Sequence, residues 1–448
     1  MRTPFLRVLA AIYACAFASF GVQAAALVGS QGLLPAADLL AEVASRHGAS
    51  RFWLFPNLAW ISSGDAFLTA LPWAGFALAA AAMVRPRAWL FASLWIVYFS
   101  VDGLGQDFFT FQWDALLLEA GFLAILFASP WAPSQVVFWL YRLLLFRLMF
   151  CSGLVKLFSG DPTWRSFTAL NFHYETQPLP NPVAWYAHRL PDAVQSASGI
   201  ILLAVELLVP FLLFFPGNPW RIAALLLGGS QVAILLTGNY GFFNFLTLAL
   251  CLLLWDEGGK EGLPAEPRWR RRLVVAVAAI VIAGGAAQLW AMTGRAPEAA
   301  RSAFAWLSRY HVVHAYGLFA VMTTSRPEIV IEGSNDGEMW KPYEFRYKPG
   351  DPGRAPPVVA PHMPRVDWQL WFAALSRPER HPWFRMLLQR LLEGSPPVLS
   401  LLAHNPFPGG PPRYIRAQLY DYRFSRQRPA WWRRELRGSY YPAVSLVR

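Results

Sequence analysis

The sequence predicts a polytopic α-helical membrane domain of about nine spans followed by a soluble C-terminal domain of mixed α and β structure with a small sheet. Three observations lead there. The 448 residues are 55% hydrophobic and only 15% charged, whereas a soluble domain carries about 25% charged residues. The apolar runs are concentrated in residues 1–293, and several are long enough to cross a bilayer. From Arg295 onward the chain holds 22 of its 39 Lys and Arg but 12 of its 27 Asp and Glu, so ten of the twelve net positive charges lie there. The predicted domains are therefore 1–293 in the membrane and 294–448 outside it.

The first run, FLRVLAAIYACAFASFGVQAAALV (5–28), is longer than the apolar part of a secretory signal and runs on without a clear cleavage site. It reads as the first span. Later spans are expected at 63–84, 88–101, 114–129, 136–158, 198–215, 220–237, 239–255 and 272–292. Arg2 and Arg7 place the N-terminus in the cytoplasm. The basic connections RPR (85–87), PGNPWR (216–221) and DEGGKEGLPAEPRWRRR (256–272) then fall on the cytoplasmic side. An odd number of spans delivers 294–448 to the opposite face, together with segments 29–62, 159–197 and the turn TGNYGFFN (237–244). With four Lys in the whole chain, the Arg-rich usage points to a GC-rich bacterial genome and hence to a bacterial inner membrane. In a eukaryote the same topology would place the domain in the lumen of the endoplasmic reticulum.

In the tail, RPEIVIEGSNDGEMWKPYEFRYKPG (326–350) reads as a strand, a turn and a second strand. DWQLWFAALSRPERHPWFRMLLQRLLEGSPPVLSLL (367–402) has helical apolar spacing, broken at Pro378 and ended at Gly394–Pro396. RYIRAQLYDYRFS (413–425) alternates as a strand does. A small sheet with two or three helices packed on it is expected.

The tail's positive charge is dispersed among Pro and Trp, which describes a solvated basic surface and no nucleic-acid partner. Cys15, Cys151 and Cys251 all lie in apolar runs, so no disulfide framework or thiolate metal site is available to the tail. Phosphate-loop, zinc-protease and serine-hydrolase signatures are missing. His311 and His314, spaced to share a helix face in RYHVVHAYG, lack an evident third ligand and read as a hydrogen-bonded structural pair. No metal and no cofactor are expected.

Charge inside the spans carries more information, because each ionised group in hydrocarbon needs a partner or a wet cavity. Glu119 and Glu206 lie mid-span, and Arg142 and Arg147 lie in the fifth span with Lys156 near its outer end. Ion pairing within the bundle follows. Lys156 reads as snorkelling outward; the alternative is a partly desolvated pocket in which it acts as a base. Beyond it the connector SGDPTWRSFTALNFHYETQP (159–178) is far richer than a linker needs. Asp161 suits a cap for a turn beginning near Trp164. Arg165, Asn171, His173, Tyr174, Glu175 and Gln177 follow, with His173 and Glu175 on one side if the segment is extended. The prolines of QPLPNPVAWYAH (177–188) suggest a stiff extended lid. Asn239, Tyr240 and Asn244 bring polar groups to the same membrane depth. These residues form the candidate site, with Lys156, His173 and Glu175 as the catalytic candidates. A cavity at Lys156 lined by Glu119, Glu206 and the connector would favour a small-molecule site; a filled bundle would favour a structural role.

Beyond the individual residues, the chain resembles the lipase maturation factor family. The resemblance lies in FRLMFCSGLVKLFSGDPTWRSFTALNFHYETQPLPNPVAWYAHRLP (146–191), LTGNYGFFNFLTLALCLLL (236–254), YGLFAVMTTSRPEIVIEGSNDGEMWKPYEFRYKPGD (316–351), APHMPRVDWQLWFAAL (360–375) and NPFPGGPPRYIRAQLYDYRFS (405–425). It implies a multi-pass protein with a lumenal C-terminal domain that assists folding and assembly of secreted lipases, and no lipase activity of its own. A shorter stretch, SGLVKLFSGDPTW (152–164), is similar to a span-end motif of vitamin K-dependent carboxylases, in which the position matching Lys156 supplies a base. Two functions follow. One is a membrane-bound folding factor that holds a secreted client such as a lipase without catalysis. The alternative is an integral-membrane enzyme acting on a lipid or quinone-like molecule, with Lys156 as base and His173 and Glu175 assisting.

Overall fold

A chain this apolar must satisfy its backbone within helices wherever it meets hydrocarbon, and the computed structural model follows that rule. It describes residues 1–132, 134–255 and 264–446. Among the described residues, nine helices follow the order of the expected spans, with shorter helices in the connections: α1 (Arg2–Gly21), α2 (Asp65–Val84), α3 (Ala88–Gly105), α4 (Gln112–Phe127), α5 (Gln135–Phe158), α6 (Asp192–Leu207), α7 (Asn218–Thr237), α8 (Phe243–Leu252) and α9 (Arg268–Met292). Among the described residues seven are long and apolar enough to cross a membrane, α3 and α6 being lengthened by tighter turns to Phe109 and Phe214. The remaining two are shorter, at 16 residues for α4 and 10 for α8. Both are lined with buried residues on most sides, as suits helices enclosed by others. The expected connection 256–272 lies partly outside the described residues.

Helix α1 is an integral part of the bundle: Phe5, Leu9, Tyr13 and Phe17 are buried, and Tyr13 donates to the Leu117 carbonyl of α4 at 3.1 Å. Gly75 of α2 leaves room for the Phe17 ring, since a Cβ there would come within 2.5 Å of it. Arg7 reaches the Val84 carbonyl at the end of α2.

The C-terminal domain follows a twelve-residue amphipathic helix, α10 (Glu298–Arg309). Its sheet has four antiparallel strands in the order β2-β1-β5-β6, with β1 (Arg326–Ser334), β2 (Lys341–Pro342), β5 (Tyr414–Phe424) and β6 (Trp432–Val444). A second small sheet pairs β3 (Glu344–Phe345) with β4 (Leu402–His404). The expected hairpin is therefore present, but its return arm is split between the two sheets. Helix α11 (Arg365–Ala374) packs on β1 and α12 (Pro382–Glu393) on β5. The break between them holds Pro378, and Gly394 ends α12 in the left-handed conformation that its missing Cβ permits. Strand β6 was not expected. WRRELRGSYYPAV is an edge strand, largely exposed, and its charges suit an unpaired edge while hiding its alternation.

The two domains share one buried interface. Arg365 of α11 donates 2.6 and 2.8 Å bonds to the two carboxylate oxygens of Asp114 at the start of α4, and Tyr98 of α3 donates to the same carboxylate. Gln23 and Ser19, at the end of α1, bond the backbone of Met363 and Arg365. Arg390 and Ser395 reach carbonyls of residues 30–32. The tail is docked, not tethered.

Candidate functional site

The connector after α5 folds from its own capping signals. Asp161 accepts from the backbone of Thr163 and Trp164, with Pro162 as first helical residue, giving the turn Pro162–Arg165. Its other oxygen accepts from Met322 N at 2.8 Å, so the cap also binds the tail. Together with a fourth hydrogen bond, from the Thr163 hydroxyl, these bonds outweigh partial burial and hold the Asp161 carboxyl below its ordinary range. Trp164 is buried and donates to the Phe319 carbonyl.

Two expectations about this connector are corrected. Residues Ala169–Thr176 are helical, not extended. Helical spacing sends side chains two apart in different directions, so His173 and Glu175 do not share a side. His173 faces Tyr240 at 3.1 Å, while Glu175 accepts from Phe424 N of β5 and meets His188 at 3.3 Å. The proline-rich stretch is not a stiff extended lid either. Asn181 caps a helix at Pro182–Ala187, Pro180 bridges Gly238, and Arg326 donates to the carbonyls of Glu175, Gln177 and Pro178.

Lys156 does not snorkel. It is 3% exposed and donates to both carboxylate oxygens of Glu206, at 2.9 and 2.7 Å, and to the Ser152 carbonyl at 3.1 Å. An ammonium has three protons, and each has an acceptor here. The pair forms because α5 and α6 approach closely at Gly153, where a Cβ would lie 2.8 Å from Leu207 and 3.2 Å from the Cβ of Glu206. The Trp164 ring stands 5.3 Å from the ammonium. Ser152, Gly153, Lys156 and Trp164 thus converge on one ion pair, which gives the motif in 152–164 a packing rationale without a free base.

A cavity of about 320 Å³ opens beside this pair. Lys156, Glu206, Trp164, His173, Tyr174 and Tyr240 line it, together with apolar residues of α5, α6 and α7 and the tail segment 318–322. Behind it, Gln177 donates to the Thr237 carbonyl and accepts from Tyr240. Gly238 makes that turn possible, since a Cβ would fall 2.3 Å from the Gln177 side-chain amide oxygen. Burial, with the nearby Lys156 charge, pushes the His173 imidazole down to about 4, so it is neutral at neutral pH.

Other candidates lie elsewhere. Glu119 does not line the cavity: it pairs with Arg147 at 2.5 Å and accepts from Tyr316 and from His314 N, tying α4 and α5 to the segment after α10. The expected intramembrane ion pairing is therefore present as two separate pairs. Arg142 stacks on Trp220 at 3.6 Å. Asn239 bonds Leu179, Pro180, Pro357, Val359 and Ala360, locking the turn to both connector and tail. Asn244 donates to Gln231, a cavity residue. Arg165 and Asn171 sit on the periphery, Asn171 with Asp192. His311 and His314 follow α10 instead of sharing its face; their rings stack at 5.7 Å and His311 pairs with Asp102 at 3.2 Å. Among the described residues no group of three or more His, Cys, Asp or Glu is placed to hold a metal ion.

Sequence reasoning missed Asp114, Arg326 and Arg365. Asp114 stands at the edge of the expected span 114–129, and the two arginines lie among the many of a basic tail. Arg326 and Arg365 lie in two of the runs that carry the family resemblance, 316–351 and 360–375, whereas Asp114 lies in none of them.

Comparisons agree along the whole chain. The family described as "Lipase maturation factor transmembrane domain" matches residues 1–260, and the one described as "Lipase maturation factor C-terminal domain" matches residues 312–442. Lipase maturation factor 2 of Xenopus laevis is 34% identical, over 99% of this chain and 82% of its own. The human lipase maturation factor 2 matches with the same identity and coverage. Lipase maturation factor 1 of Bos taurus is 34% identical over 99% of this chain and 89% of its own. No solved structure matches. This integral, multi-pass membrane protein belongs to the lipase maturation factor family.

Proposed function

We propose that this protein is a membrane-bound maturation factor that holds immature secreted lipases at the non-cytoplasmic membrane face and catalyses no reaction itself. The observation that carries this reading is end-to-end similarity to proteins named lipase maturation factors, through both domains. The N-terminus is cytoplasmic, residues 1–293 form the membrane domain, and 294–448 form the domain facing the client. Arg-rich composition favours a bacterial inner membrane with that domain in the periplasm.

The docked tail supports a platform with fixed geometry. Beside it lies exposed apolar surface of the kind an incompletely folded client would cover. Trp53 is 79% exposed, and Ile61 and Trp306 are also open. Tyr310 donates to the Trp53 carbonyl, joining segment 51–54 to the end of α10. The Lys156 ammonium is fully occupied by acceptors, an arrangement that supports a structural cation better than a base.

Photo-crosslinking from positions 53, 61 and 306 during synthesis of a secreted lipase tests the proposal. Crosslinks to the immature lipase that vanish once it is folded are expected. Crosslinks to lipid alone, with no lipase adduct at position 53, 61 or 306, would refute this client surface.

A further inference from the structure

The hydrogen bonds around His173 define what its cavity lacks. Gln177 donates its amide protons to the Thr237 and Tyr174 carbonyls, which fixes its oxygen toward Tyr240. Tyr240 therefore spends its single proton on Gln177, at 2.8 Å. Its oxygen must then accept from His173 Nε2 at 3.1 Å. That assignment places the proton on Nε2 and leaves Nδ1 as a bare acceptor. Nδ1 is buried and has no hydrogen-bond partner among the described residues. A buried acceptor left unpaired costs about 1–3 kcal/mol, so it asks for a donor.

The rest of the cavity describes the body of that donor. Leu148, Met149, Leu202, Val205 and Ile234 make its walls apolar. The ion pair beside it is internally neutral and already bonded, so it offers little to a charged head. A volume of about 320 Å³ stands at the lower limit of ligand pockets, room for one chain and not two. Ile201 of α6, 62% exposed, and Ala233 of α7, also exposed, flank the cavity. Both helices qualify as membrane spans, so the opening between them faces hydrocarbon.

We infer that this cavity is a lipid site, taking a single-chain amphiphile whose neutral hydroxyl head donates to His173 Nδ1 while its chain lies between α6 and α7. The site is independent of client binding, and neither result predicts the other. Entry is lateral, from the bilayer, and no bond in the ligand is made or broken.

The test uses the full chain in phosphatidylcholine nanodiscs and a monoacylglycerol with a diazirine in its acyl chain. Saturable labelling of peptides containing 198–206 and 230–237 is expected. Excess monoolein or oleyl alcohol should compete, whereas methyl oleate, which has no hydroxyl, should compete about tenfold less well. His173→Phe should lose the labelling. Because that change also disturbs Tyr240, Ala233→Trp provides a second variant that narrows the mouth and leaves the polar groups intact; it too should lose labelling while melting normally. Labelling that does not saturate, that methyl oleate suppresses equally, or that survives in both variants would overturn the inference.

Discussion

Arg365 and Asp114 lie 251 residues apart in the chain and meet as a buried two-pronged ion pair, at 2.6 and 2.8 Å, where the C-terminal domain enters the membrane bundle. The guanidinium also covers the Phe109 ring at 3.6 Å and donates to the Phe108 carbonyl. A planar fork matched to a carboxylate fixes orientation as well as distance. This contact sets how the tail sits on the membrane domain.

Removing one member strands the other. Arg365→Ala should destabilise the protein by about 3–5 kcal/mol, the cost of breaking a buried pair. Limited proteolysis should show the tail released before the bundle unfolds. Lys at position 365 should rescue little, since it cannot form the paired bonds.

The second pair separates a structural role from a catalytic one. Lys156→Met or Glu206→Leu alone should each cost about 3–5 kcal/mol, while the double variant should recover much of the loss because no buried charge remains unpaired. Thermal melts of the three proteins test the stability side. Full lipase maturation by the double variant would exclude Lys156 as a base; loss of maturation in a double variant that melts normally would revive it.

Acid should loosen the docked tail. Burial, with Lys156, pushes His173 down to about 4, and burial, with Arg365, pushes His362 to about 4, where it contacts Ser19 of α1. Unfolded histidine titrates near about 6.5. Between these values the unfolded chain binds more protons, so stability rises with pH across this window and falls on acidification. Melting temperature should therefore drop as pH is lowered from about 6.5 toward 4, and His362→Gln should flatten part of that slope.

Close approach at the turn after α7 is steric. An alanine at Gly238 would set its Cβ 2.3 Å from the Gln177 oxygen and 2.5 Å from the Tyr240 ring. Gly238→Ala should cost about 1–3 kcal/mol, read as a lower melting point with the helix signal retained.

Much of this was legible beforehand, for identifiable reasons. Long apolar runs and their flanking arginines mark the helices because bilayer thickness imposes a length. Asp161–Pro162 announces its own cap, since both capping partners lie within three residues. Glu119, Arg147, Lys156 and Glu206 betray themselves by being charged where charge is expensive. Which carboxylate pairs with which cation was not legible: Glu119 is satisfied by Arg147 with Tyr316 and His314, contacts that exist only once the tail folds back. The same blindness hid Arg326, whose guanidinium holds the connector carbonyl groups of Glu175, Gln177 and Pro178 and pairs with its strand neighbour Glu328. Periodicity failed at β6 because an exposed edge strand has no buried face to display.

The most direct measurement is the specific activity, per unit of secreted protein, of lipases released by the host with and without this protein. Maturation-factor function predicts that without it the lipases are secreted in reduced amount and with much lower specific activity, both restored by the wild-type chain and by the Lys156→Met, Glu206→Leu double variant. Unchanged amount and unchanged specific activity for every secreted lipase would contradict it.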